Sequence, residues 1–271
     1  MIRKIVFVGY VVVVLSMAMQ VLAANDWTNA TLDGKWSTAA NWSEGTVPTM
    51  TPDSIGDSRI NLTGANASTI DGTMPQAVAQ WLHVGNFWGQ TATLNVVAGG
   101  KLGTPIWGLG EAWVGGENTD AIGILNIDGA GSVAKSEGWR IGSATLGSAV
   151  VNITNGGVMQ GGTWDNYIRA TATVNIMSGG VMQMMGVSQF VVDGVIDISG
   201  PTSLLLLETD RLPLVNALIA AGKITGNGIV GNVSATYNEI VPGYTVVTAI
   251  PEPMTLAILG LGGLLLRRRN V

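Results

Sequence analysis

A two-strand pattern recurs through the middle of this 271-residue chain, and it constrains the fold more than any other feature. Four stretches align: TATLNVVAGGKLG from Thr91, AIGILNIDGAGSV from Ala121, GSAVVNITNGGVM from Gly147 and TATVNIMSGGVMQ from Thr171. Each reads apolar, Asn, apolar, two variable residues, a glycine-bearing turn, then an apolar residue. The asparagines are Asn95, Asn126, Asn152 and Asn175, spaced by 31, 26 and 23 residues. A degenerate copy, VIDISGPTSL, puts Asp197 in that place 22 residues further on. Ahead of each copy lies a second short strand (WLHVGN, AWVGGE, WRIGSA, NYIRAT), anchored on Val84, Val114, Ile141 and Ile168 at spacings of 30, 27 and 27. Two strands with glycine turns at a period in the twenties are the signature of a solenoid.

Strand alternation then assigns the faces. Leu94 and Val96, Leu125 and Ile127, Val151 and Ile153, and Val174 and Ile176 point one way; Leu102, Val133, Met159 and Met182 add an inward residue after each turn. The asparagines fall on the outer face, where solvation is the expected role and coil-to-coil hydrogen bonding the alternative. The predicted fold is all-β, a single-stranded right-handed parallel β-helix over residues 24–249, with repeats recognisable over about 81–204. Glycine pairs at 99 and 100, 156 and 157, and 179 and 180 are expected to supply positive-φ corners. The 38 glycines and 11% charged residues suit short strands, not helices. One helix-like stretch, RLPLVNALIAAGKI, places Leu214, Leu218 and Ala221 on one face and is expected to cover the last coil.

The two ends differ from this body. Residues 1–23 carry Arg3 and Lys4, an apolar run and small residues, with Val21 and Ala23 at the −3 and −1 positions of a signal-peptidase site and Ala24 as the first residue released. An uncleaved anchor is the alternative; both readings export the body. Residues 250–271 comprise Pro251-Glu252-Pro253, an apolar segment Met254–Leu266, and Arg267-Arg268-Arg269. As a helix the 13-residue segment is about 20 Å long, against a hydrocarbon core of about 30 Å. Arginines favour the cytoplasmic side, so the tail would hold the chain transiently in the membrane with the proline-flanked junction outside.

This tripartite tail resembles the PEP-CTERM sorting domain. The resemblance implies an exported protein that is recognised at Pro251, Glu252 and Pro253 by an exosortase-type processing enzyme, with Arg267 to Arg269 as the membrane-stop cluster. It implies a place at the cell surface or in the extracellular matrix of bacteria that make extracellular polymeric substance. The repeats are similar to those shared by autotransporter passengers and PEP-CTERM proteins. The opening WTNATLDGKWSTAANWSEGTVP, with Gly34, Trp36, Asn41 and Trp42 in a Gly-x-Trp-x-x-x-x-Asn-Trp arrangement, resembles the start common in the same secreted proteins. Trp27, Trp36 and Trp42 would close the first coil; a carbohydrate-stacking platform is the alternative.

Little in the chain suggests catalysis. There is no cysteine and His83 is the only histidine, so thiolate and multi-histidine metal sites are excluded. No cofactor or metal is expected. His83 reads as a solvated or wall residue. Glu111, Glu117 and Asp120 form the densest acidic group, with Lys135 and Arg140 one coil later; they read as exposed turn residues rather than a calcium site or a glycosidase pair. Between Asn25 and Ile250, 8 basic and 17 acidic residues leave a net charge of −9, which argues against a nucleic-acid partner. Sequons at Asn29, Asn41, Asn61, Asn66, Asn152 and Asn232 mark a surface suited to glycan contact. The expected function is a non-enzymatic structural or matrix protein, associated with extracellular polysaccharide. The alternative is a polysaccharide lyase, glycosidase or glycan-binding module on the same scaffold.

Overall fold

The computed structural model describes residues 24–49, 57–61, 67–85, 89–103, 109–116, 120–186 and 189–250. Parallel strands stack into a β-solenoid of about six turns. Among the described residues one sheet has 13 strands and the other 8. The smaller sheet runs through Ser68–Ile70, Thr91–Val97, Ile122–Asp128, Ser148–Thr154, Ala172–Met177 and Val195–Ser199. The larger includes Asp57–Ile60, Trp81–Val84, Leu109–Val114, Val133–Ile141, Val158–Gly161, Val181–Met184 and Leu204–Glu208.

The register follows the sequence alignment. Asn95 pairs with Asn126, Asn126 with Asn152, Asn152 with Asn175, and Asn175 with Asp197. Val84 pairs with Val114, Val114 with Ile141, and Ile141 with Ile168. Their inward neighbours Leu94, Val96, Leu125, Ile127, Val151, Ile153, Val174 and Ile176 are buried in one continuous core. Stacking continues upstream of the recognisable repeats, where Ser58 pairs with Leu82 and Ser68 with Leu94. Serine in two inward places, with Thr69 opposite Asn95, disguises this coil in the sequence.

One inward assignment needs correcting. The residue level with Leu102, Met159 and Met182 is Ala134, not Val133; Val133 points outward, half-buried. The turn after Ile127 is one residue longer than those after Val96, Ile153 and Ile176, and a one-residue offset exchanges the faces. Buried Ser132 holds the longer turn: its hydroxyl donates to the Asp128 carbonyl (2.6 Å) and accepts from the Gly99 amide (3.1 Å) of the preceding coil. Ser203 repeats both bonds, to the Ser199 carbonyl at 2.6 Å and from the Gly179 amide at 3.2 Å.

The glycine pairs also divide their work. In the turn after Ile153, Asn155 and Gly156 have φ of 53° and 80°, so only the first glycine of the pair is left-handed. A Cβ on the second, Gly157, would fall well inside contact distance of the Ile127 carbonyl oxygen in the coil below. Close approach between coils, rather than a positive φ, fixes that residue.

At the C-terminal end parallel stacking stops. Tyr244–Ala249 pairs antiparallel with Leu204–Glu208 and with Val233–Tyr237. The helix Leu212–Ala220, with proline in its first turn, packs beside this end. Val215 is its buried residue, with Leu214, Leu218 and Ile219 partly buried against the core, while Ala221 is the C-terminal cap. A helix and an antiparallel hairpin thus cover an edge that would otherwise template another strand. Among the described residues no helix is long and apolar enough to cross a membrane.

Candidate functional site

The outer wall of the larger sheet carries an unlike residue at every level. Register aligns Arg59, His83, Trp113, Arg140 and Tyr167 in one row along the solenoid. Each is flanked in its strand by inward residues such as Leu82 and Val84, or Ala112 and Val114, so alternation turns the row outward. The His83 and Trp113 rings lie 5.2 Å apart at 46°. The Arg140 guanidinium stands 5.4 Å from the Trp113 ring centre and 5.2 Å from that of Tyr167, and Arg169 stands 4.2 Å from Tyr167. Such cation–π contacts are worth about 0.5–1 kcal/mol each when exposed. The Nε of Arg140 donates to Glu111, whose side chain is nearly buried.

His83 is therefore not a solvated residue. It is 9% exposed, covered by the rings and charges of neighbouring coils. Its Nε2 stands 3.7 Å from Asp57 Oδ1, too far for a hydrogen bond, and Asp57 instead accepts from Arg59 at 2.8 Å. Burial pushes the imidazole below its usual pKa, with the Asp57 carboxylate pulling the other way. A histidine held neutral and packed on tryptophan is a wall element.

The smaller sheet carries the opposite kind of row. Asn126 Nδ2 donates to Asn95 Oδ1, Asn152 to Asn126 and Asn175 to Asn152, each at 2.8 Å. These amides form a ladder, which corrects the expectation of simple solvation. Bonds parallel to the solenoid axis join neighbours in the stack, so the ladder does not require inward-facing side chains. Asn126, Asn152 and Asn175 each donate toward the preceding coil. Asp197 ends the row and accepts instead from Thr225 (2.7 Å), Ser199 (2.8 Å) and the Gly228 amide (2.7 Å).

A recess of about 330 Å³ opens on the outer face of the larger sheet. It is lined by Pro75, Gln76, Lys101, Val133, Lys135 and Gln160, together with Leu102 and Gly103. It lies where Lys101–Leu102 pairs with the first part of Val133–Ile141, while Leu109–Val114 pairs with that strand further along. The recess was not legible in the repeat pattern, because its lysines occupy positions that vary from coil to coil.

The acidic group read from the sequence is not assembled into a site. Glu111 is bound to Arg140, Asp120 accepts from the Gly89 amide at 2.5 Å, and Glu117 lies outside the described residues. Lys135 lines the recess. Among the described residues, no group of three or more His, Asp or Glu side chains could hold a metal ion.

The sequons are largely occupied by structure. Asn41 is fully buried; its oxygen accepts from the Thr31 amide and hydroxyl at 2.9 and 2.7 Å, and its nitrogen donates to Asp33 and the Lys35 carbonyl at 2.6 and 3.2 Å. Asn29 accepts from the Gly34 amide at 3.0 Å, Asn152 belongs to the ladder, Asn61 is buried, and Asn232 donates to the Gly226 carbonyl at 3.2 Å. Asn66 lies outside the described residues. Each of these described asparagines is buried or hydrogen-bonded within the fold.

Trp27, Trp36 and Trp42 are at most 2% exposed and pack edge to face, with ring centres 5.2 Å apart for Trp27 and Trp42 and 4.7 Å for Trp36 and Trp42. Trp42 Nε1 donates to the Trp36 carbonyl at 2.9 Å. They close the first coil and offer no stacking face to a sugar.

Val21 and Ala23, Pro251 to Pro253, Met254 to Leu266 and Arg267 to Arg269 lie outside the described residues, while Ala24 is half-buried just ahead of the first strand. Comparison with protein families, with curated proteins and with solved structures returns no match.

Proposed function

We propose that this chain is an exported, non-enzymatic structural protein, a stiff spacer of the cell surface or extracellular matrix, processed at its C-terminal tail. One observation carries this reading. One polar row on each outer wall bonds within itself, coil against coil, in the asparagine ladder and the cation–π row. Wall groups paired in this way stiffen a rod rather than turn over a substrate. The two apolar ends of the sequence supply the route. A leader cut between Ala23 and Ala24 exports the body, and the Pro251-Glu252-Pro253 junction presents an extended segment to an exosortase-type enzyme while Met254 to Leu266 and Arg267 to Arg269 hold the chain at the membrane.

Intact-mass analysis of the protein recovered from the native cell surface tests the reading. The expected species starts at Ala24 and lacks the apolar tail. Recovery of the unshortened chain from that fraction would overturn it. Replacing Pro251 and Pro253 with alanine should leave export intact and block release, seen as accumulation of the tailed form in membranes.

A further inference from the structure

The recess beside Lys101 opens onto two outward rows that run along the solenoid. Val133, Val158, Val181 and Leu204 occupy successive levels of one, all half-buried, with Lys101 paired to Val133 at its start. Two residues along, Lys135, Gln160 and Gln183 occupy the other. The second row is ordered: Gln160 Nε2 donates to Gln183 Oε1, and Gln183 Nε2 donates to the Tyr244 hydroxyl, both at 3.0 Å. An apolar strip thus lies beside a strip of amides, and both lead out of a cavity lined by two lysines, of which Lys101 also donates through Nζ to the Gly131 carbonyl.

Charge distribution sharpens the contrast. The body is acidic, with 8 basic residues between Asn25 and Ile250, yet two of them line this one recess and, among the described residues, no carboxylate does. A volume of about 330 Å³ is at the small end of ligand sites, which run from roughly 300 to 1,000 Å³. Val133 and Pro75 offer carbon surface, Gln76 and Gln160 offer amide donors and acceptors, and Lys101 and Lys135 offer positive charge.

We infer that this recess and the paired rows beyond it bind a linear acidic polysaccharide, with one uronate-type sugar seated between Lys101 and Lys135. The sugar's carboxylate would meet the ammonium groups, its hydroxyls the glutamines, and its C–H face the valine row. Coils repeat at about 4.8 Å, so a polymer lying along the axis would meet the same pair of rows at each level. The inference rests on the exported reading only for the presence of such a polymer around the protein.

The test uses the full chain in detergent micelles, with calorimetry against a galacturonate oligomer and a neutral glucose oligomer of equal length. The acidic oligomer should bind at least about tenfold more tightly at low salt, as charge-assisted contacts require. That gap should close near 1 M salt, where screening acts within about 3 Å. The double variant K101Q/K135Q should lose about tenfold for the acidic oligomer while remaining folded by circular dichroism, and K35Q/K223Q should bind as the parent does. Equal binding of both oligomers, or unchanged binding by K101Q/K135Q, would overturn the proposal. Complete displacement of the oligomer by inorganic phosphate would reduce the recess to a simple anion site and overturn it as well. None of these outcomes depends on how the tail is processed, so failure here and failure of the export reading are separable.

Discussion

The two sheets enclose one core yet treat their outer faces in opposite ways. The smaller sheet repeats itself, with asparagine above asparagine at four levels, each amide oriented alike. In the larger, one row changes at every level, from Arg59 to His83, Trp113, Arg140 and Tyr167, while Val133, Val158 and Val181 repeat in another. A repeated residue can do only what stacking lets it do, which is to bond to its own copy. A varied row can build a buried imidazole and a guanidinium between two rings. Stability of register belongs to the first face, and individuality to the second.

The largest test of this division removes a whole coil. Val114 pairs with Ile141, so deleting Val114 to Arg140 rejoins equivalent positions and should leave a shorter solenoid that melts cooperatively. Deleting Val114 to Trp139 instead places Arg140 at the inward position of Val114. A buried unpaired charge costs several kcal/mol, against the roughly 5–15 kcal/mol that holds a typical domain together. This second variant should be insoluble or unfolded by circular dichroism. Similar behaviour of the two would break the coil assignment for both sheets.

Much of the fold could be read in advance because its period is written in residue types. Asparagine spacings of 31, 26, 23 and 22 locate the pairing register despite unequal turns. The same inequality hid Ala134, since periodicity within a strand says nothing about the length of the turn before it. The coil just upstream of the recognisable repeats was hidden because Ser58 and Ser68 stand where an apolar residue would announce it. The outer wall of the larger sheet was not legible at all. A sequence leaves His83 as either a solvated or a wall residue, and only the levels above and below it, supplied by residues 24 to 30 positions away, decide for the wall.

Smaller tests separate the two faces. Asn126→Leu should destabilise by about 2 kcal/mol, because it strips a donor from Asn95 and an acceptor from Asn152 at once. An unchanged thermal midpoint would return the ladder to mere solvation. His83→Ala should cost about 1 kcal/mol through lost packing on Trp113. It should also change the pH dependence. The folded imidazole has a lowered pKa, so below the ordinary value of 6.5 the unfolded chain takes up a proton that the folded one refuses. Parent stability should therefore fall as pH drops below about 6.5, and the alanine variant should lose part of that slope in urea titrations at several pH values. Parallel slopes would remove His83 from the buried wall. Ser132→Ala should be the mildest, at or below about 1 kcal/mol, since it cuts the two bonds that staple one long turn.

The stack also has a mechanical consequence. The first strand, Asn25–Asp26, and the last, Tyr244–Ala249, lie toward opposite ends of the larger sheet, so tension between the chain ends pulls along the axis. Hydrogen bonds between levels point along that same line, and they give way one level at a time. Each level that yields exchanges about 4.8 Å of stacked height for a 27-residue loop of chain, or about 90 Å of contour at roughly 3.4 Å per residue. A stack built this way is stiff until overloaded and then lengthens in steps, absorbing work at each one.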